Sequence, residues 1–224
     1  MKKWITYAIL CILIPAVILG GIFLFDGKQY AWVSLCIVLL ACIPLFLRFE
    51  RRETDVKRLV LIAVMVALSV AGRILFTPIP GFKPVTALVV ITAMYFGGEA
   101  GFLTGALSAV ISNFYFGQGP WTPFQMFSWG MVGLIAGMFA GALKKNRLIL
   151  LLYAALSGVL YSFLMDIWSV MWMDGAFHLS RYLATLLTSA KFTAIYAVSN
   201  VVFLFVFAKP MGKILQRVKT KYGI

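Results

Sequence analysis

Eight apolar runs follow one another along this chain, and they constrain its fold more than any other feature. A helix of about 20 apolar residues crosses the hydrocarbon core of a bilayer. The fourth run has only about 13 residues, which is too short to cross alone as a straight helix, so it is tilted, partly re-entrant or longer than the run suggests. We therefore predict an all-α polytopic membrane protein. The runs occupy roughly residues 4–25, 30–49, 56–76, 84–96, 100–116, 124–143, 148–172 and 182–208.

The composition excludes a soluble protein. Hydrophobic residues make up 62% of the 224 residues and charged residues only 12%, against about 25% charged in soluble domains. The net charge of +13 would suggest nucleic acid in a soluble protein. Here the basic residues lie in short connections and in the tail, which favours lipid as their partner. The three cysteines have no metal-ligand spacing, and we predict neither a metal nor a cofactor.

The distribution of Lys and Arg predicts the orientation. With the N-terminus inside, most basic residues fall on the inner side, as cytoplasmic loops require. Both termini are then cytoplasmic, in a bacterial-type plasma membrane. The first apolar run is too long for the core of a signal peptide, which favours a retained span. The charged loop 48–58 divides the chain into a two-helix hairpin, residues 1–50, and a six-helix membrane domain with a basic tail, residues 51–224.

Polar residues near the outer ends of the spans predict a binding pocket. The outer connections 76–84, 113–123 and 173–181 combine Pro and Gly with aromatic residues, a mixture typical of small-molecule sites. Polar groups inside a membrane are costly and therefore indicate function. Lys191 is expected to line the same outward-facing pocket. The predicted ligand contacts are Arg73, Phe82, Lys83, Asn113, Gln118, Trp121, Gln125, Trp129, Asp166, Trp172 and His178.

Each of these features has a structural alternative. The aromatic loops could form an ordinary interfacial belt. Asp166 and Lys191 could form an ion pair between neighbouring helices, and Arg73 could extend toward the membrane surface. Small residues repeat every four positions at Ala63, Ala67 and Ala71, and again in two glycine stripes around Gly101 and Gly133. Such stripes serve either packing within the chain or docking of another membrane subunit.

Two other functions stay open at this point. A membrane enzyme acting on lipid or prenyl substrates would use Asp166, Asp174 and His178, although no paired acidic motif supports it. A self-contained secondary transporter would need a coupling-ion site near the midplane, where only Lys191 and Asn200 offer polarity. No phosphate-binding loop occurs, so this chain does not hydrolyse ATP by that chemistry.

Residues from about Asp55 to Lys219 resemble the substrate-binding S component of an energy-coupling factor (ECF) vitamin transporter. The resemblance rests on the alanine stripe, on the loop Arg73…Pro80-Gly-Phe-Lys-Pro84, and on the stretch from Gly101 through Ser112-Asn113 to Gly117-Gln-Gly-Pro-Trp-Thr-Pro-Phe-Gln-Met126. This last stretch is similar to the cobalamin-type subgroup. The first 50 residues depart from the family's six-helix pattern.

The resemblance implies a transport component without enzymatic activity. Such a protein captures a vitamin or related micronutrient from outside, then topples against a transmembrane coupling subunit driven by two ATPase subunits. Corrinoids are preferred as the ligand over riboflavin, folate, pantothenate or queuosine precursors. The alanine stripe Ala63, Ala67 and Ala71 would face the coupling subunit, as the matching motif does in the family.

Overall fold

The protein is an all-helical bundle in the part of the chain that the structure, a computed structural model, describes. The description covers residues 12–17, 20, 36, 40, 56–119, 121–174 and 177–223. The predicted N-terminal hairpin lies almost entirely outside these residues and stays a prediction. Residues 56–223 form seven helices: α1 Val56–Leu75, α2 Val85–Phe96, α3 Gly98–Phe116, α4 Trp121–Met138, α5 Ala140–Lys145, α6 Arg147–Asp174 and α7 Leu179–Tyr222.

Three of the described helices, α1, α6 and α7, are long and apolar enough to cross a membrane. Helices α3 and α4 are less apolar because they contain Gly, Ser, Asn and Gln residues. Most of these residues are buried within the bundle. With α4 and α5 taken as one interrupted segment, the bundle has the six helices that the sequence predicts. The predicted all-α polytopic membrane fold is confirmed.

The short helix α2 occupies the centre of the bundle. Every residue of α2 except Tyr95 is buried, and α2 contacts each of the other six helices. A helix enclosed by protein on all sides needs no lipid-spanning length, which explains how a run of 12 residues can sit inside a membrane domain.

Helices α3 and α4 approach each other closely through glycine. A Cβ atom on Gly101 would lie 2.8 Å from the carbonyl oxygen of Gly133, and one on Gly105 would lie 2.5 Å from the backbone of Trp129. Small residues at this spacing allow backbones to touch. The glycine stripes therefore serve packing within the chain, and they hold the first half of α3 against the second half of α4.

Two predicted span boundaries are wrong. The last helix does not end near residue 208 but continues to Tyr222, because the basic tail keeps an inner face that packs on α2. On that face Gly212 lies against the Tyr95 ring, Leu215 is buried, and Lys219 Nζ donates a hydrogen bond to the Tyr95 carbonyl at 3.2 Å. The sixth predicted span ends at Met138, and a separate short helix, α5, follows it.

Candidate functional site

The site is built around Arg73, in the last turn of α1. Its side chain points into the bundle and is 7% exposed. The guanidinium Nη1 donates to Asn113 Oδ1 at 2.7 Å and also to the Ser112 hydroxyl. The guanidinium carbon lies 4.5 Å from the Phe116 ring centroid and 5.2 Å from that of Trp129. Arg73 therefore does not extend to the membrane surface, and its charge is held inside the protein.

Asn113 is the centre of a hydrogen-bond network that crosses four helices. It is fully buried, accepts from Arg73, and donates through Nδ2 to Thr122 Oγ1 and Gln125 Oε1, both at 2.9 Å. Gln125 Nε2 in turn donates to Tyr161 Oη at 3.0 Å. The network links α1, α3, α4 and α6 and fixes the orientation of both amides.

Aromatic rings form the next wall of the site. Trp129 and Tyr161 stack with centroids 5.1 Å apart, and Tyr196 from α7 meets Tyr161 edge-on at 5.3 Å. Stiff rings of this kind give a broad contact surface for another flat ring system.

The loop between α1 and α2 covers the site. Lys83 donates its backbone N–H to Ser199 Oγ at 2.9 Å, and that hydroxyl donates back to the Lys83 carbonyl at 3.2 Å. Gly81 has a φ of +76°, and a Cβ there would lie 2.9 Å from Ile195, so the turn requires glycine. The loop is thereby clamped against α7.

A second cation enters the site from this loop. Lys83 Nζ lies 4.9 Å from the Phe116 ring centroid. Burial lowers the pKa of the Lys83 ammonium below its ordinary value, and the positive charge of Arg73 acts in the same direction. Two cations therefore share one region of low polarity.

A cavity of about 130 Å³ lies among these side chains. None of the described residues that line it is acidic. Arg73 Nε is buried without a hydrogen-bond partner among the described residues, and a buried unpaired donor is costly. The cavity thus offers two cations, two amides and three aromatic rings to a ligand. Its lining is Arg73, Gly81, Lys83, Val85, Thr86, Gln125, Trp129, Tyr161, Tyr196 and Asn200.

The structure brings together five of the predicted ligand contacts and separates the other six. Arg73, Lys83, Gln125 and Trp129 line the cavity, and Asn113 lies directly behind it. Gln118 is exposed but accepts a hydrogen bond from Thr122 Oγ1 at 3.1 Å, so it supports Asn113 indirectly.

The remaining predicted contacts lie in other environments. Phe82 packs on Phe203, with ring centroids 4.9 Å apart. Trp121 meets Trp168 edge-on, and Trp168 stacks on Trp172. His178 is exposed just before α7.

Asp166 and Lys191 neither line the cavity nor form an ion pair with each other. Asp166 accepts a hydrogen bond from Ser189 Oγ at 2.6 Å, whereas the Lys191 side chain is exposed. The expectation that Lys191 lines the pocket is therefore wrong, as is the alternative of an Asp166–Lys191 ion pair. Asp174 pairs with Arg181 at 3.1 Å near the surface.

The sequence prediction missed the residues that complete the cavity. Tyr161 and Tyr196 lie within long apolar runs and resemble ordinary membrane aromatics. Asn200 donates to Ser157 Oγ at 3.1 Å. Its polarity within an apolar run was noted in the sequence, but only for a coupling-ion site and not for this pocket.

The alanine stripe lies on the outer face of α1. Ala63, Ala67 and Ala71 are exposed, and Val64 and Leu68 between them are 51% and 47% exposed. Next to the stripe, a groove of about 490 Å³ runs between α1 and the end of α7. This exposed face is apolar, and its docking role stays a prediction.

Comparison with known proteins identifies the family. The family model described as "ECF-type riboflavin transporter, S component" matches residues 53–217, well over half of the chain. The chain belongs to this family. It is thus a multi-pass membrane protein of the S-component class, as the resemblance implies. The cobalamin-type subgroup receives no support from the match.

Individual relatives are more distant. A UPF0397 protein of Vibrio atlanticus is 32% identical over 97 residues, which cover 41% of this chain and 52% of the relative. A UPF0397 protein of Aliivibrio salmonicida is 28% identical over 146 residues, 63% of this chain and 76% of the relative. The chain thus spans about half the length of the first of these curated relatives. No solved structure matches.

Proposed function

We propose that this chain is the substrate-binding subunit of an ECF-type importer, which captures an organic micronutrient and delivers it inward with a coupling subunit and ATPase subunits. The observation that carries the proposal is the buried network from Arg73 through Asn113 and Gln125 to Tyr161, with a cavity beside it. Family membership supports the same function.

The chemistry of the cavity favours a flat ring with a carbonyl-rich or anionic edge. Arg73, Lys83 and Gln125 offer N–H donors, while Trp129, Tyr161 and Tyr196 offer ring surfaces for stacking. Riboflavin, which the family description names, has such a ring and edge, and it is the first compound to test.

The size of the cavity argues against the preference for a corrinoid as the ligand. Pockets that bury a drug-sized molecule measure about 300–1,000 Å³, whereas this cavity measures about 130 Å³. A flat ring requires a modest opening of the loop that carries Lys83. A corrinoid, with its bulky macrocycle, requires a much larger displacement of the same clamped loop. The cavity therefore favours the smaller vitamins.

The direct test is the identity and affinity of the ligand. The protein is purified in mild detergent, the co-purifying small molecules are identified by mass spectrometry, and each is titrated onto ligand-free protein. We expect a vitamin-like heteroaromatic compound that binds one molecule per chain. Absence of any such compound, together with no binding of riboflavin, folate, pantothenate, queuosine precursors or corrinoids, would contradict the proposal.

The alanine stripe supplies a second test, of docking. We expect Ala67→Trp to abolish uptake in cells that contain the partner subunits, because a large ring on this exposed stripe prevents close helix contact. Ligand binding by the isolated variant should stay within about twofold of the original, since the stripe faces away from the cavity. Ala184→Trp, at an exposed alanine of α7, is the matched control and should leave uptake intact. Normal uptake by Ala67→Trp would exclude docking through this face.

A further inference from the structure

A large groove lies at the opposite end of the bundle from the cavity. It measures about 1000 Å³ and is bounded by the end of α2, by α5, by the start of α6 and by the second half of α7. From Tyr196 at the cavity to Arg217 in the groove, α7 rises about 32 Å. The basic residues 209–221 follow the apolar part of α7, which is the predicted span 182–208, so we expect the groove to lie at the membrane surface where α7 leaves the bilayer.

The part of this groove toward the C-terminal end of α7 is strongly basic. Lys209, Lys213, Arg217 and Lys221 line it at intervals of four residues, so they form one row along α7. Three further cations line the opposite wall, on α5 and at the start of α6, and none of the described lining residues is acidic. These charges repel one another unless an anion lies between them.

Contacts on the opposite wall show how closely the cations are packed. Lys144 Nζ lies 4.8 Å from the Tyr95 ring centroid, and Lys219 donates to the carbonyl of the same tyrosine. Burial, followed by the charge of Lys219, lowers the pKa of the Lys144 ammonium. The site thus holds positive charge that its own residues do not neutralise.

The part of the groove nearer the middle of α7 is apolar. Leu150, Leu151, Leu204 and Phe205 line it on α6 and α7. Arg147 is held at the junction, where its guanidinium carbon lies 4.0 Å from the Phe205 ring centroid. An anionic head above an apolar wall is the shape of a phospholipid, and basic pockets between membrane helices suit such headgroups.

We propose that this groove binds an anionic phospholipid, with the phosphate among the α7 cations and an acyl chain along Leu204 and Phe205. The proposal does not depend on the identity of the transported ligand. It requires charge and an apolar wall together, which distinguishes a lipid from a free anion.

The experiment measures lipid binding to the full chain, delipidated in detergent. Phosphatidylglycerol and phosphatidylcholine with identical acyl chains are titrated separately, and inorganic phosphate is a third probe. The test variant is Lys213→Gln with Arg217→Gln. The control is Arg181→Gln with Lys191→Gln, which removes two exposed charges elsewhere on α7. Circular dichroism verifies folding, and Arg217→Gln alone is used if the double variant does not fold.

We expect at least tenfold tighter binding of phosphatidylglycerol than of phosphatidylcholine. The test variant should lose about thirtyfold in phosphatidylglycerol affinity, since each basic residue near an anionic headgroup contributes a factor of about five. The control should retain its affinity. Equal affinity for the two lipids, or unchanged affinity in the test variant, would overturn the proposal. The proposal would also be overturned if inorganic phosphate bound as tightly as phosphatidylglycerol. The same holds if a coupling subunit, and not a lipid, occupied these residues.

Discussion

The two ends of the bundle both collect positive charge, but they hold it in opposite ways. At one end Arg73 is buried, and its guanidinium is positioned by Asn113, Ser112 and two aromatic rings beside a cavity of about 130 Å³. At the other end, Lys213 and Arg217 lie exposed along an open groove of about 1000 Å³. Directional hydrogen bonds discriminate between molecules, whereas exposed charge attracts any anion of suitable shape. The comparison separates a specific site from an electrostatic one.

The largest expected effect comes from removing the buried charge. Arg73→Met keeps an unbranched side chain but shortens it and removes its charge and hydrogen bonds, and we expect ligand affinity to fall about a hundredfold, because charge-assisted hydrogen bonds contribute about 1.5–3 kcal/mol each. Lys213→Met, at the other end, should leave ligand affinity unchanged. Calorimetric titration of the ligand measures both. Equal losses in the two variants would remove the distinction between the ends.

Two asparagines provide the next comparison. Asn113→Ala leaves Arg73 and Gln125 without their shared partner, so ligand affinity should fall at least about tenfold, with a loss of stability of about 3 kcal/mol. Asn146 instead accepts hydrogen bonds from the backbone N–H groups of Leu148 and Ile149 at the start of α6. Asn146→Ala should cost about 1 kcal/mol of stability and no affinity. Thermal unfolding and ligand titration distinguish these outcomes, and an affinity loss in Asn146→Ala alone would reverse the assignment.

A smaller effect is expected from single hydroxyl groups on α6. Tyr161→Phe removes the acceptor of the Gln125 amide and should weaken ligand binding about fivefold, the value of one ordinary hydrogen bond. Tyr153→Phe removes a hydrogen bond to the Val132 carbonyl, two turns away from the site. That variant should bind ligand normally. Ligand titration measures the affinity of both variants. Equal affinities of Tyr161→Phe and Tyr153→Phe for the ligand would contradict the role of Tyr161.

The smallest effect concerns salt. Raising the salt concentration from about 0.05 M to about 0.5 M shortens the Debye length about threefold, so exposed charges interact less. Phosphatidylglycerol binding in the groove should weaken clearly. Ligand binding in the buried cavity should change less than about twofold. A salt dependence as steep at the cavity as in the groove would show that the Arg73 end also works by general electrostatics.

The sequence predicts much of this architecture, because polar residues in an apolar run are costly and therefore informative. Arg73, Asn113 and Gln125 were identified by that rule, and the structure joins them in one network. The alanine stripe was identified by its spacing and lies on an exposed face. The position of a polar residue along an apolar run thus indicated which residues meet at this end of the bundle.

The sequence did not predict which side of each long helix faces the interior of the bundle. Asp166 lies five residues after Tyr161, which places it about 140° around α6, and it contacts Ser189 instead of the cavity. Lys191 is offset from Tyr196 by the same angle on α7. Both charged residues have a suitable depth, but which side of a long apolar helix faces inward depends on packing with its neighbours.

The length of α7 links these observations. Helix α7 has 44 residues and contains Pro210; a straight helix of that length extends about 66 Å, roughly twice the hydrocarbon thickness of a bilayer. It carries Tyr196 at the cavity and the basic row in the groove toward its C-terminal end. A tilt of about 10° of the whole helix displaces its two tips by about 11 Å relative to each other, and a bend at Pro210 would take up part of that movement. A movement of α7 at the cavity therefore also moves the basic row, to the extent that the turn around Pro210 keeps the two halves of the helix aligned.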